Sequence, residues 1–375
     1  MQYRQTIVLL IDALGWEIAG HFGFATTLLP QRRSLGTVLG YSSAAIPSLL
    51  SGALPSEHRS WAMWRKANGR SPFGFLKYLP SLPHALEWRT RRFARRLVDR
   101  RGLIKGYYDL YDIPVSVLPQ FDVAQSQDPY EPGGLRCETV FDRFVADGTS
   151  YRMWNYRTPE SDNMAALVDC LGGEESVLFL YTAELDALMH RVGTRDPSVG
   201  ERLARYQRFL ERVVDRAATR GESVRLVVLS DHGMTDVTTE VDVWGELERR
   251  GHTLGRDYLA FFDSTMVRIW GGEVVAREAA AILDAHGAGR LLDDDELRAR
   301  GCFFEDHAYG DWVLLVNPGV MVVPSFMGQT RIAAMHGYDP EHRDSTGVFM
   351  TNEPGTELPE SILGFKDYIL ERVGA

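Results

Sequence analysis

Acidic and histidine side chains follow several short apolar runs of this 375-residue sequence. Asp12 ends the run Leu-Leu-Ile, where a lone aspartate usually caps the next helix. Asp231 and His232 leave another run together, and helix capping cannot explain both side chains. Asp186 and His190 follow a third run at an i, i+4 spacing, which places both on one face of a helical turn. Carboxylate and imidazole groups placed in this way are typical ligands of a divalent metal ion.

A late histidine extends this set of candidate ligands. His336 stands in Met-His-Gly-Tyr, far from the other five residues along the chain. Three aspartates and three histidines would supply three ligands to each of two divalent ions, provided that one small nucleophile bridges the ions. Each motif alone is common, but their joint placement after apolar runs indicates a two-metal site.

The candidate nucleophile is Ser42, in the segment Gly-Tyr-Ser-Ser-Ala-Ala-Ile-Pro that starts at Gly40. The pattern places this small hydroxyl residue between a strand and the amino terminus of a helix. Backbone N–H groups and the helix dipole favour a phosphate anion at such a terminus. The sequence therefore predicts an oxyanion site here.

Short apolar runs alternate with helical patterns along the chain. This alternation predicts an α/β sandwich with a central, mostly parallel sheet and helices on both faces. Ligands bind beyond the carboxyl ends of such strands, which is where the candidate residues stand. The predicted strands are Ile7–Ile11, Thr37–Leu39, Tyr151–Asn155, Val177–Tyr181 and Arg225–Leu229, and the predicted helices are Ser43–Ser51, Cys137–Ala146, Asn163–Leu171 and Pro197–Arg220.

Two segments interrupt this alternation within what is otherwise a single catalytic domain over residues 1–375. Segment 61–135 is rich in aromatic residues, Pro and Arg, and is interpreted as an inserted lid. Segment 243–329 holds two β-rich runs around a helical run at Glu273–His286, which predicts an inserted subdomain.

A basic amphipathic helix is predicted over residues 85–101 of the first insertion, with Leu86, Phe93 and Leu97 on one face. We interpret it as a solvated helix that lies on the core. Membrane contact is the weaker alternative, because the formal net charge of the chain is -10.

Composition excludes several classes of protein. Hydrophobic residues at 45% and charged residues at 25% are typical of a folded chain rather than a disordered one. The net charge of -10 disfavours a stable nucleic-acid complex. Cys137, Cys170 and Cys302 are too few and too far apart for a disulfide framework. Without a signal-peptide core or an apolar run of membrane-spanning length, we expect a cytoplasmic protein with no membrane span, and the oligomeric state is left open.

The order of these motifs resembles that of the alkaline phosphatase superfamily, in particular its nucleotide pyrophosphatase/phosphodiesterase branch. The motifs that match span most of the chain: the Asp of the first strand, a Thr or Ser followed by Ser/Thr-Gly…Pro…His, Asp-x-x-x-His-x-x-Gly, Ser-Asp-His-Gly-Met and a late His-Gly-Tyr. The resemblance implies an alkaline-phosphatase-like sandwich. It also makes Ser42 the nucleophile, since Ser42 stands ten residues before Gly52.

The same resemblance divides the ligands between two metals. One ion would be held by Asp186, His190 and His336. The other would be held by Asp12, Asp231 and His232, with Ser42 coordinated as an alkoxide. Carboxylate and imidazole ligands suit zinc, and manganese or iron are the alternatives.

The sequence departs from the superfamily pattern at two places. Ala44 and Ile46 replace the residues that sulfatases need to form their aldehyde nucleophile, so a sulfatase is not expected. The branch usually has an Asn that donates to the phosphoryl oxygen, and the aligned Asn is missing. Nearby polar residues could replace this donor, and nearby aromatic rings would either stack on a base or sugar or pack in the core. The candidate substrate contacts are therefore Arg59, Trp61, Trp64, Arg65, Lys66 and Asn68.

These observations predict a two-metal hydrolase of phosphoric esters or anhydrides. The leading hypothesis is a phosphodiesterase or nucleotide pyrophosphatase that acts through a phosphoseryl intermediate on Ser42, with a small anionic phosphate ester such as a nucleotide as substrate. A phosphomonoesterase, phosphonate hydrolase or phosphotransferase on the same site is the alternative within enzymes. A non-catalytic metal-binding scaffold is the alternative from another class.

Overall fold

The computed structural model describes residues 3–79 and 86–373. Its strands are β1 Gln5–Ile11, β2 Gln31–Leu35, β3 Trp64–Lys66, β4 Phe121–Val123, β5 Tyr151–Trp154, β6 Val177–Thr182, β7 Val224–Leu229, β8 Thr235–Asp236, β9 Thr239–Val241, β10 Leu259–Phe262, β11 Met266–Trp270, β12 Gly289–Leu292, β13 Trp312–Val316, β14 Val320–Val322, β15 Ala334–Met335 and β16 Gly347–Thr351. Its α-helices are α1 Trp16–His21, α2 Ser42–Ser51, α3 Pro55–His58, α4 Glu87–Arg100, α5 Val140–Ala146, α6 Glu160–Asp169, α7 Glu184–Val192, α8 Pro197–Ala218, α9 Val243–Arg249, α10 Glu273–Ala285, α11 Asp294–Ala299 and α12 Phe365–Val373.

β1 lies near the middle of a six-stranded sheet of order β2-β16-β7-β1-β6-β5. It runs parallel to β6 and β7, with Ile7 beside Leu178 on one side and Leu226 on the other. β16 alone is antiparallel to its neighbours, so the other five strands share one direction. The predicted mostly parallel sheet is confirmed.

Alternate side chains of β1 enter two separate hydrophobic cores. Ile7, Leu9 and Ile11 pack with α6, α7 and α8 on one face of the sheet. Val8 and Leu10 pack with α2, α5 and α12 on the other face. A parallel strand buried on both faces needs apolar side chains pointing both ways, which explains the unbroken apolar run. Helices cover both faces, as predicted.

The predicted strand at Thr37–Leu39 is wrong. The strand of this region is β2, which ends at Leu35, two residues before Thr37. It lies at the edge of the sheet, where it pairs with β16. Its sequence Gln-Arg-Arg-Ser-Leu is polar because an edge strand leaves side chains in solvent, so the apolar pattern used for the prediction misses it. Thr37 instead donates a hydrogen bond from Oγ1 to the carbonyl oxygen of Asp231 at 2.7 Å.

Segment 243–329 contains a four-stranded antiparallel sheet of order β10-β11-β13-β12. Its apolar residues share one core with the α2 face of the main sheet. Phe261 of β10 stacks on Trp64 with ring centroids 6.3 Å apart and meets the Phe121 ring at 5.2 Å. The second sheet thereby packs against segment 61–135, in which β3 and β4 pair antiparallel.

The basic helix of segment 61–135 is α4, and Ala85 of the predicted span lies outside the described residues. α4 lies on the core as expected, but it does so through the small side chains of Thr90, Ala94 and Val98. The predicted apolar face is wrong at Phe93, whose residue surface is 51% exposed. No α-helix of the described chain has the length and apolarity needed to cross a membrane.

Candidate functional site

The candidate ligands meet at the carboxyl edge of the main sheet. Asp12 directly follows β1, and Asp231 and His232 follow β7, its parallel neighbour. β6 lies on the other side of β1 and leads into α7, which carries Asp186 and His190. Because these three strands are parallel and adjacent, their carboxyl ends bring the side chains together, as the sequence predicts.

Asp12, Asp231 and His232 form the first cluster, and all three are buried. His232 Nε2 lies 3.5 Å from Asp12 Oδ1 and 3.2 Å from Asp231 Oδ2. His232 Nδ1 lies 2.9 Å from the carbonyl oxygen of Gly233. When Nδ1 donates to that oxygen, Nε2 carries a free lone pair that faces the two carboxylates, as a metal-ligating histidine requires.

Asp186, His190 and His336 form the second cluster. Asp186 Oδ1 lies 3.2 Å from His190 Nε2 and 3.4 Å from His336 Nε2. His190 Nδ1 is 2.8 Å from the carbonyl oxygen of Ala334 in β15, the strand that directly precedes His336. β15 pairs with β8, which follows the turn after His232. This long-range pairing delivers the late histidine to the sheet edge.

The histidines connect the two clusters. The rings of His232 and His336 are stacked, with centroids 4.0 Å apart and planes 17° from parallel. The ring of His190 is tilted against that of His336, at a centroid distance of 5.3 Å. The six side chains therefore form one continuous double site rather than two unrelated clusters.

Burial works against charge in this site. Burial, followed by the charges of Asp231 and Asp186, raises the pKa of Asp12. Burial also opposes ionisation of Asp186, but the close approach and positive charge of His190 outweigh it and hold the pKa of Asp186 at about 2. Burial lowers the pKa of His336 well below its ordinary value. The ionised carboxylate of Asp186 and the neutral imidazole of His336 are both in the protonation state that binds a metal.

Two buried carboxylate oxygens of this site lack a hydrogen bond of good geometry. They are Asp186 Oδ1 and Asp231 Oδ2. Leaving such groups bare is costly, and a bound cation would satisfy the carboxylate oxygens while offsetting their mutual repulsion. The residues present therefore fit two divalent ions.

Ser42 is the first residue of α2, and its hydroxyl faces the first cluster. Its Oγ lies 3.0 Å from His232 Nε2 and 3.4 Å from Asp12 Oδ1. The neighbouring Ser43 Oγ is buried without a partner and makes no such contact. The first turn of a helix has free backbone N–H groups, so an oxyanion bound at Ser42 would meet donors as well as the cluster.

A cavity of about 430 Å³ opens onto Ser42 and both clusters. Asp12, Ser42, Asp186, His190 and His336 lie in its wall. The rest of the wall is mainly aromatic and apolar, and it includes Tyr107, Tyr111, Tyr130, Tyr156, Tyr181, Met63 and Met327. Among the described residues that line it there is no Lys or Arg, and Gln125 is the single side-chain amide.

Five of the six predicted substrate contacts lie outside this wall. Arg59 pairs with Asp306, and Arg65 pairs with Asp122 of β4 at 3.0 Å. The Trp61 ring is buried against Phe304 and Tyr309, and Lys66 and Asn68 are exposed. Side chains alternate along β3, so Trp64 turns inward while Arg65 turns away. Trp64 alone lines the cavity, and its ring N–H donates to the carbonyl oxygen of Asp109.

Other wall residues were not predicted from the sequence. Tyr181, in β6, donates from its hydroxyl to Asp12 Oδ2 at 2.5 Å and so orients that carboxylate. Its place near the end of a strand in the predicted sheet is a signal that could have identified it. Gln125 carries no comparable signal, because only the pairing of β3 with β4 brings it to the site.

Comparison with known proteins agrees with this geometry. A sequence model of the type I phosphodiesterase/nucleotide pyrophosphatase family matches residues 112–339. The chain belongs to this family. Sequence comparison with curated proteins gives no match.

Solved structures of family members share the fold at low sequence identity. Murine ectonucleotide pyrophosphatase/phosphodiesterase 5 superposes with a TM-score of 0.69 and 13% identity, over 98% of this chain and 95% of the murine chain. An inactive variant of the same murine protein, solved in complex with AMP, gives 0.67 and 14% over 99% and 95%. The human counterpart gives 0.67 and 12% over 98% and 94%. The predicted alkaline-phosphatase-like fold is confirmed.

We expect the purified protein to carry about two divalent ions per chain, because each cluster offers three ligands. Elemental analysis after gel filtration measures the ion content. Asp186→Asn should lower it to about one ion per chain. Asp196→Asn is a control, because Asp196 caps α8 and belongs to neither cluster. Full turnover by protein that elemental analysis shows to be metal-free would contradict the expectation.

Proposed function

We propose that the protein hydrolyses phosphodiester or pyrophosphate bonds, with Ser42 as the nucleophile and two divalent cations bound by the clusters. The observation that carries the proposal is the position of Ser42 Oγ, 3.0 Å from a ligand atom of the first cluster, at a helix amino terminus and in the wall of the cavity. Family membership supports the reaction class.

The proposed reaction has two displacement steps at phosphorus. A bond forms from Ser42 Oγ to phosphorus as the bond to the leaving oxygen breaks, and the proton that Ser42 loses is balanced by the one that the leaving alcohol or phosphate gains. Water then attacks the same phosphorus, the bond to Ser42 breaks, and Ser42 recovers its proton. Divalent cations in the clusters, when bound, would supply positive charge that activates the hydroxyl and offsets charge on the phosphoryl oxygens.

Zinc is the proposed metal, with manganese or iron as alternatives, because the clusters combine carboxylate and imidazole ligands. The non-catalytic scaffold is disfavoured by the same geometry. A scaffold does not require a serine hydroxyl that lies beside the ligand atoms of a cluster and in the wall of a cavity, whereas a nucleophile does.

A nucleotide or another diester with an aromatic group is the proposed substrate class. The wall of the cavity carries five tyrosines besides Tyr41, and flat rings of this kind stack on a base or aryl group. The AMP complex of the murine neighbour supports a nucleotide. The wall offers no Lys or Arg from the described residues, so it provides little compensation for substrates with several negative charges.

Ser42→Ala should abolish turnover, with a loss of roughly a thousandfold or more in kcat, because the attacking oxygen is removed. Metal content should stay near that of the wild type, since each cluster keeps its three side chains. Ser43→Ala is the matched control, because Ser43 Oγ makes no contact with either cluster. If Ser43→Ala were the inactive variant and Ser42→Ala the active one, the assigned nucleophile would be wrong.

Diesters should be preferred over monoesters that share a leaving group. Two cations compensate a singly charged diester, whereas a doubly charged monoester commonly needs further cationic contacts. Arg59, Arg65 and Lys66 lie outside the cavity wall and do not supply them. The measurement is the ratio of kcat/KM for bis(4-nitrophenyl) phosphate and 4-nitrophenyl phosphate. A ratio below one would favour the phosphomonoesterase.

Gln125 is the proposed stand-in for the missing Asn. Its Nε2 donates to the carbonyl oxygen of Ser43 at 2.8 Å, which holds the amide next to the nucleophile. An amide nitrogen has two hydrogens, so one remains for a phosphoryl oxygen. None of the donors predicted from sequence proximity, Arg65, Lys66 and Asn68, lines the cavity.

Gln125→Leu should lower kcat by about a hundredfold while KM changes little, because a donor aimed at developing charge acts mainly in the transition state. Binding of vanadate, which imitates that state, should weaken in parallel. Gln127→Leu is the matched control, since Gln127 stands two residues along the same segment and is exposed. Unchanged kcat and vanadate affinity in Gln125→Leu, with metal content intact, would remove Gln125 from the mechanism.

A further inference from the structure

The outer face of α4 combines exposed aromatic rings with arginines that form no salt bridge within the described part of the chain. Trp88 and Phe93 are 49% and 51% exposed, although they are the largest side chains of the helix. The helix meets the core through small residues on its other face. Burying large apolar groups is normally favourable. Two exposed aromatic rings on one helix face therefore indicate an interaction surface.

The aromatic surface continues beyond the helix. The ring of Phe93 contacts Phe75 edge-on at a centroid distance of 6.3 Å. Phe75 belongs to the short helical turn Gly74–Tyr78, whose last residue, Tyr78, is 88% exposed. Leu79 follows and is also exposed. These residues and the outer face of α4 form one patch, here called the α4 patch.

The charges of α4 are divided between its two sides. Arg91 pairs with Glu87 and Asp112, and Arg95 pairs with Asp99. Both acidic residues of the helix are therefore already in salt bridges. The exposed arginines have no acidic partner in residues 3–79 or 86–373, and they are Arg89, Arg92, Arg96 and Arg100. Their i, i+3 and i, i+4 spacings place them on the same face as Trp88 and Phe93.

We propose that the α4 patch docks the protein onto an anionic lipid surface. A helix that lies in a membrane interface presents aromatic rings at headgroup depth and arginines to lipid phosphates, which is the composition of this patch. A nucleic-acid duplex would bind the arginines but offers no unstacked base to Trp88 and Phe93, and Leu79 of the patch has no stacking partner in a single strand. The net charge of -10 opposes approach at long range, but charges beyond about 10 Å are screened at physiological salt, so the local arginines decide contact.

The patch adjoins the segment that lines the cavity. Arg95 of α4 donates to the carbonyl oxygen of Tyr108 at 2.6 Å, and the Tyr108 hydroxyl donates to Asp99. The preceding residue, Tyr107, is half exposed and lies in the cavity wall. Docking through α4 would therefore hold the cavity near the lipid surface.

Co-sedimentation with vesicles tests the proposal with the full chain. The wild type should bind phosphatidylcholine/phosphatidylserine vesicles and bind phosphatidylcholine vesicles much more weakly. Replacement of Arg89, Arg92, Arg96 and Arg100 by Gln should lower the partition coefficient by about fivefold for each arginine. A second variant, Trp88→Ala with Phe93→Ala, should lower it by roughly tenfold without changing the arginines.

The matched control replaces four exposed arginines of α8, Arg205, Arg208, Arg212 and Arg216, by Gln. It changes the net charge by the same amount on another helix and should retain vesicle binding. Equal losses in the α4 and α8 variants, or no binding by the wild type, would overturn the proposal. Sedimentation velocity tests a further outcome. If the wild type were a dimer and the Trp88→Ala, Phe93→Ala variant a monomer, the patch would be a protein interface and the proposal would be overturned.

Activity on a soluble diester separates this proposal from the proposed function. The α4 variants should keep the kcat/KM of the wild type for bis(4-nitrophenyl) phosphate, since no residue of α4 lines the cavity. Their thermal unfolding temperatures should also match the wild type, because the replaced side chains are exposed. Loss of folding in the α4 variants would assign the patch a structural role instead.

Discussion

Three aspartates, two of them buried and one partly buried, meet at one edge of a parallel sheet, and this constraint governs the rest of the site. Asp12, Asp186 and Asp231 repel one another in surroundings that disfavour charge, and burial raises the pKa of Asp12. Positive charge at the centre of such a group offsets this repulsion. The bare carboxylate oxygens of Asp186 and Asp231 identify where that charge belongs. The nucleophile, the helix terminus and the cavity are all arranged around this position.

The fold satisfies the constraint with long-range contacts. Adjacent parallel strands fix Asp12 beside Asp231, while the pairing of β15 with β8 brings in His336. The turn after His232 is tight, and a Cβ at Gly233 would lie 2.2 Å from the carbonyl oxygen of Asp344. Residue 233 must therefore be glycine, because any side chain would collide with the neighbouring backbone.

The sequence pattern predicts the metal ligands but not most of the cavity wall. Asp12, Asp231 and His232 stand directly after apolar strands, so the strand pattern alone predicts that they meet. Arg65 and Lys66 follow the nucleophile helix in sequence, which predicts a place near the substrate. Arg65 instead pairs with Asp122, and Lys66 is exposed. Gln125 depends on the pairing of two short strands far apart in the chain, which no local pattern encodes.

The same limit applies to α4, where periodicity identified an amphipathic helix but not the face that is buried. Small residues allow the close approach to the core and leave Phe93 outside. A local pattern measures hydrophobicity, whereas packing depends on which side chains fit the surface opposite.

In the proposed reaction, Ser42 forms a covalent bond to phosphorus. The stereochemical outcome of hydrolysis tests it most directly, using a chiral phosphorothioate diester in isotopically labelled water. Two successive in-line displacements, the first by Ser42 and the second by water, would give net retention of configuration at phosphorus. Net inversion would exclude the phosphoseryl intermediate, because it requires water to attack the substrate directly.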